Sequence, residues 1–228
     1  MLRLVYIRHM KLPAIIVNFK IYEQATGENA FALAKIHERV AEETGAAIGI
    51  AVSSLDLAAV VSAVNIPVFA QHVDPVGYGS GTGHVSPFQV REVEAYGTLL
   101  NHAENPLENV VLEKSIKMAK EAGLYVVSCA DTAEKGAEIL EFNPDLIAVE
   151  PPDLIGGDVS VSKAEPRIIE ESVRLVGENK LLVGAGVKNS EDVKIALSLG
   201  ACGVLLASGV VKAEDPYSVL MDLVSGLN

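Results

Sequence analysis

Asp145-Leu146-Ile147-Ala148-Val149-Glu150-Pro151-Pro152-Asp153-Leu154-Ile155-Gly156-Gly157-Asp158 is the stretch whose reading decides the fold. Leu146 to Val149 is apolar at every position instead of alternating, the pattern of a strand covered on both faces. The run then stops at a carboxylate, Glu150, followed by Pro151 and Pro152, which cannot donate to a strand ladder. Gly156 and Gly157 come next and allow the backbone unusual conformations. A base on a rigid edge, followed by a movable lid formed by Pro151, Pro152, Asp153, Leu154, Ile155, Gly156, Gly157 and Asp158, is what this stretch suggests.

The same unit recurs outward in both directions. Apolar runs at 14–18, 47–52, 66–71, 97–102, 124–129, 145–150, 181–184 and 203–207 read as strands. Segments with helical spacing or helix start and stop signals lie between and after them, at 29–44, 55–64, 87–95, 112–122, 132–142, 165–176, 190–199 and 215–224. Pro166 suits a first turn, and Ser190 with Asp192 reads as a cap. Strands apolar on both faces that alternate with helices require a parallel sheet clothed in helices. Eight such units in 228 residues predict an α/β fold, a single (β/α)8 barrel of eight parallel strands surrounded by helices. A doubly wound open sheet is the alternative, weakened because its edge strands would be fewer and more polar. No G-x-G-x-x-G follows the first strand.

Composition narrows the function. Half the residues are hydrophobic and the formal charge is -12, which disfavours nucleic acid and anionic membranes as partners. No apolar run approaches the roughly 18 to 20 residues that span a bilayer. Residues 1–9 are too short in their apolar part for a secretory signal and are expected to be a dispensable extension, with residues 10–228 forming one catalytic domain. Cys129 and Cys202 lie in apolar runs and are expected to be reduced and buried, which points to the cytoplasm.

In such a barrel the C-terminal strand ends converge on one mouth. Asn18, Lys20, Gln71, His102 and Glu150 all fall there. Each alone has a plain structural explanation, as a turn former, a solvated loop lysine or a cap. Five polar residues on one rim above an apolar barrel are harder to explain that way.

At these residues the chain resembles a known family. Asn18-Phe19-Lys20, Ala70-Gln71-His72-Val73-Asp74, Thr82-Gly83-His84, Asn101-His102-Ala103-Glu104, Ala148 to Gly156 and Val204 to Lys212 are similar to the motifs of triosephosphate isomerases, and the shortened helices resemble the archaeal-type branch. The resemblance runs from about Leu12 to the C-terminus. It implies a TIM barrel that interconverts dihydroxyacetone phosphate and D-glyceraldehyde 3-phosphate through an enediolate, in glycolysis and gluconeogenesis, with no metal and no cofactor.

The resemblance also implies roles. Glu150 is the base on carbon, His102 a neutral imidazole serving the two oxygens, and Lys20 with Asn18 stabilises charge on those oxygens. Glu104 orients Lys20, and Gln71 supports the site. Thr82 reaches a neighbouring subunit, so a homodimer or a homotetramer is expected. Gly156, Gly186, Ala207 and Ser208 bind the substrate phosphate through backbone amides, which suit an anion after strands seven and eight.

The chain departs from the pattern at Ala103, where a serine is usual, and at Gly157-Asp158, Gly186 and Ala51-Val52-Ser53. Two other readings remain open from sequence: a phosphate-binding barrel for an aromatic or amino-sugar phosphate, and a weakened barrel that binds phosphometabolites or acts as an interaction protein.

Overall fold

Eight short strands pair in chain order into a closed parallel barrel: β1 (Ala14–Asn18), β2 (Ala47–Val52), β3 (Val68–Ala70), β4 (Gly97–Leu100), β5 (Tyr125–Ala130), β6 (Leu146–Val149), β7 (Leu181–Val183) and β8 (Gly203–Leu206). The structure is a computed structural model and describes residues 10–151 and 165–227. The barrel closes where β1 meets β8, with Ala14 opposite Gly203 and Val17 opposite Leu206. Around it lie α1 (Glu28–Thr44), α2 (Leu57–Ala63), α3 (Pro87–Glu92), α4 (Asn109–Glu121), α5 (Ala133–Leu140), α6 (Pro166–Val176), α7 (Ser190–Ser198), α8 (Ser208–Val211) and α9 (Pro216–Ser225).

The unbroken apolar runs have a direct cause. Alternate residues on a strand point to opposite faces, and here both faces are buried. Ala14 and Ile16 of β1, Val127 and Cys129 of β5, and Leu146 and Ala148 of β6 belong to the barrel interior. Ile15 and Val17, Val126 and Ala130, and Ile147 and Val149 pack outward with the helix layer. A polar residue anywhere along these strands would be stripped of water on either side.

One interior layer is aromatic. Phe69 meets Tyr96 and Tyr125 edge-on, with ring centroids 5.3 and 6.3 Å apart. Gly97 makes room for this group, because a Cβ there would overlap the Tyr125 carbonyl and crowd the Phe69 ring. Met10 joins the same interior cluster, so the buried core begins at the first described residue.

Boundaries shift by a few residues from the sequence expectation, for identifiable reasons. β3 is shorter than 66–71 because Pro67 cannot donate to a ladder; its carbonyl accepts from Ile50 instead. β4 stops at Leu100 because Asn101 adopts φ 58. α4 starts at Asn109, not 112. The cap of α7 is Asn189, whose side chain accepts from the Asp192 amide, and not Ser190. The short helix α8, after β8, and a 3-10 turn at Glu23–Ala25 had no periodic signal in so few residues. Pro166 does occupy the first turn of α6, as expected.

Candidate active site

The strand alternation that buries Ala14 and Ile16 inside the barrel also aims Asn18 there, at the end of β1. Asn18 is buried, and its Oδ1 accepts from the Lys20 backbone amide at 2.9 Å. That bond helps to hold Lys20 at φ 49, a conformation costly for a side-chain-bearing residue. Gln71, just past β3, ties the segment down: its Nε2 lies 2.9 Å from the Lys20 carbonyl, 3.2 Å from Asn18 Oδ1 and 3.3 Å from the Ala51 carbonyl. Lys20 thus leaves a braced backbone, and its ammonium meets Glu104 Oε1 at 2.6 Å.

His102 reaches the same mouth because Asn101 breaks the alternation of β4. The left-handed turn at Asn101 is held from both sides, its Nδ2 donating to the Cys129 carbonyl at 2.9 Å and its Oδ1 accepting from Leu107 N at 2.8 Å. The Glu104 backbone amide donates to His102 Nδ1 at 3.1 Å. A ring nitrogen that accepts carries no proton, so the proton of the neutral ring lies on Nε2, facing the cleft. Burial lowers the His102 pKa, Lys20 lowers it further, and Glu104 opposes them. The ring is held as a neutral N–H donor.

Glu150 follows β6, two residues past the interior-facing Ala148. Its amide donates to the Ala130 carbonyl at 2.8 Å. The residue is 6 % exposed, and its Oε2 lies 3.7 Å from His102 Nε2 without a hydrogen-bond partner among the described residues. Burial raises the Glu150 pKa to about 7, against the lowering influence of a Cys129 hydrogen bond and of Lys20. The carboxylate is therefore poorly solvated, and so strongly basic, beside an imidazole that can donate.

These groups line one cleft with Gly186, Ala207, Ser208 and Lys188 opposite them. Ala185 and Gly186 both have positive φ, 68 and 72, which turns the chain after β7 along the cleft wall. Asn18, Lys20, His102 and Glu150 come together as expected, with Glu104 and Gln71 bonded to them. Thr82 is exposed in the loop after β3 and does not line the cleft. Pro151 is buried, while Pro152 to Asp158, with the expected phosphate ligand Gly156, lie outside the described residues. Among the described residues no cluster of His, Cys, Asp or Glu could hold a metal ion.

Three groups escaped the sequence reading. Cys129, taken only as an inert thiol, touches the Glu150 carboxylate. Its place two residues after Val127 on β5, on the interior face, was the available signal. Gly184 leaves room for Glu150, since a Cβ there would overlap the glutamate side chain. Lys188 lines the cleft from a loop, where no periodicity marks it.

Fold and site together define a (β/α)8-barrel protein whose C-terminal mouth pairs a buried carboxylate with a neutral imidazole and a lysine. Residues 13–226 match the family model described as triosephosphate isomerase. The triosephosphate isomerase of Methanobacterium bryantii is 45% identical over 217 residues, covering 93% of this chain and 96% of that relative. That of Archaeoglobus fulgidus is 47% identical over 218 residues, covering 94% and 98%. The crystal structure of triosephosphate isomerase from Bartonella henselae superposes with a TM-score of 0.70 at 21% identity, covering 91% of this chain and 97% of that one, and bears on the fold. This chain belongs to the triosephosphate isomerase family.

Proposed function

We propose that Glu150, His102, Lys20 and Asn18 carry out the reaction of that family, the interconversion of dihydroxyacetone phosphate and D-glyceraldehyde 3-phosphate. Removing a proton from carbon beside a carbonyl leaves an enediolate, which needs a base on carbon and donors on oxygen. Glu150 takes the proton. His102 donates from Nε2 to the carbonyl oxygen and moves a proton between the two oxygens, while Lys20 and Asn18 stabilise the negative charge that develops. Glu150 returns its proton to the neighbouring carbon.

The substrate phosphate lies against the backbone of Gly186, Ala207 and Ser208. Small residues there let an anion approach peptide N–H groups. The observation that carries this reading is the 3.7 Å approach of Glu150 Oε2 to His102 Nε2, with Lys20 and Asn18 lining the same cleft. Glu150 serves the carbons and His102 the oxygens of one enolisation.

The chain acts in the cytoplasm as a homodimer or homotetramer, a reading supported by two free buried cysteines and by the exposed loop that carries Thr82. A coupled assay on purified protein tests the chemistry. Glu150→Gln lowers kcat by about 10²- to 10⁴-fold and His102→Gln by on the order of 10²-fold. Near-normal turnover in either variant removes that residue from the mechanism.

A further inference from the structure

β5 outlasts its neighbour β4. The last pairing between the two strands sets Leu100 opposite Ser128, while β5 continues through Cys129 to Ala130. At Asn101 the backbone turns away with φ 58, and the Asn101 side chain takes over where the ladder stops, its Nδ2 donating to the Cys129 carbonyl at 2.9 Å. Its Oδ1 accepts from Leu107 N at 2.8 Å. A carbonyl oxygen only accepts and an amide N–H only donates, so these two partners fix which way the carboxamide points.

Each partner belongs to a different half of the site. On one side, the bond from Leu107 closes the loop that begins at His102. Inside that loop the Asn105 amide donates to the His102 carbonyl at 2.7 Å, the Glu104 amide donates to His102 Nδ1 at 3.1 Å, and Glu104 Oε1 meets the Lys20 ammonium at 2.6 Å. On the other side, the end of β5 holds the base. The Ala130 carbonyl accepts from the Glu150 amide at 2.8 Å, and Cys129 hydrogen-bonds with the Glu150 side chain. Asn101 thus ties the loop that carries the oxygen-side groups to the strand that holds the carbon-side base. His102 Nε2 and Glu150 Oε2 face each other at 3.7 Å across that junction.

We propose that Asn101 is a positioning residue for the isomerisation: its carboxamide, bridging Leu107 N and the Cys129 carbonyl, sets the place of His102 relative to Glu150. This rests on the roles proposed above for those two residues and extends them. Asparagine meets both requirements, since it tolerates a left-handed backbone better than most residues and carries a donor and an acceptor on one short planar group. Without the bridge, Glu150 still removes the proton from carbon, but the imidazole is poorly aimed at the oxygens. A misplacement on the order of 1 Å costs up to about 10²-fold in rate.

The test compares wild type with Asn101→Gly and Asn101→Asp, with dihydroxyacetone phosphate isomerised in heavy water. Glycine adopts φ 58 without strain, so that variant folds while losing both bonds; aspartate keeps the acceptor for Leu107 N but has no N–H for the Cys129 carbonyl. Both variants are expected to lose about 10- to 10²-fold in kcat with little change in KM. The ratio of deuterium found in recovered dihydroxyacetone phosphate to glyceraldehyde 3-phosphate formed rises. Glu150 exchanges the proton it has taken with solvent and returns a deuteron to the same carbon, while transfer between the oxygens lags. A purely structural loss lowers both products together and leaves the ratio unchanged, which overturns the proposal, as does wild-type kcat in Asn101→Asp. Nitrogen NMR of the His102 ring reads the same geometry without turnover: a single Nε2–H tautomer is expected in wild type and a mixture in Asn101→Gly. A wild-type chain that fails to isomerise the triose phosphate would overturn the mechanism above, and the His102 spectrum would still decide the role of Asn101, since an unaltered ring in Asn101→Gly overturns it.

Discussion

Burial in the barrel mouth raises the Glu150 carboxyl to about 7, so at neutral pH roughly half of the free protein holds the ionised base. Below that point kcat/KM is expected to fall about tenfold per pH unit, which a pH-rate profile reads directly. A flat profile down to pH 5 would contradict the burial argument. The same shift costs stability: the folded pKa lies above the unfolded value, so stability is fully present below about 4.5 and is lost as pH rises through about 7. Glu150→Gln should therefore be more stable than wild type above pH 7, by up to about 3 kcal/mol, with a smaller gap at pH 5. His37 has the opposite sign. It is fully buried beneath Phe19, with ring centroids 5.2 Å apart, and burial lowers its pKa to about 4. Its contribution is present above about 6.5 and disappears as pH falls toward 4. Thermal melts of His37→Phe should show a smaller loss between pH 6.5 and 4.5 than wild type does; equal losses would mean that His37 protonates freely in the folded chain.

At the scale of elements, the site depends on where strands stop. β6 ends at Val149, β7 at Val183, and the Gly184 amide donates to the Val149 carbonyl at 2.9 Å. That register sets Gly184 directly beside the Glu150 side chain, where a methyl group would overlap it. Gly184→Ala should fold, because the clash is with a side chain that can rotate away. It should lose about 10²-fold or more in kcat by displacing the base from its working position. Full activity in this variant would show that Glu150 works from another position. Asn101 plays a comparable part for β4: its left-handed turn and two backbone partners redirect His102 into the mouth, which strict strand alternation would not do.

At the scale of the whole molecule, the loop after β3 projects exposed Thr82 and Tyr78, the latter 69% accessible and set against Phe88 with ring centroids 5.5 Å apart. Aromatic groups on an exposed loop fit an interface better than a solvated surface. Light scattering is expected to give a mass at least twice the 24.1 kDa of one chain, and Tyr78→Arg to lower both mass and activity. A wild-type monomer with full activity would rule out the subunit contact.

Much of this was legible beforehand because it depends on local chemistry. A parallel barrel buries both faces of every strand, so Leu146 to Val149 had to be apolar throughout, and Pro151 and Pro152 had to mark where the ladder ended. The polar residues just past such runs, Asn18, Lys20, His102 and Glu150, were visible for the same reason. What only the tertiary structure decided is how those residues are tuned. The proton on His102 Nε2 follows from an amide of the next loop, and the basicity of Glu150 from burial in the mouth, beside Gly184 just past the end of β7 and against the opposing influence of Cys129 on β5. Interactions between residues distant along the chain arise only when the barrel closes, and desolvation is a property of the closed barrel and of no single segment.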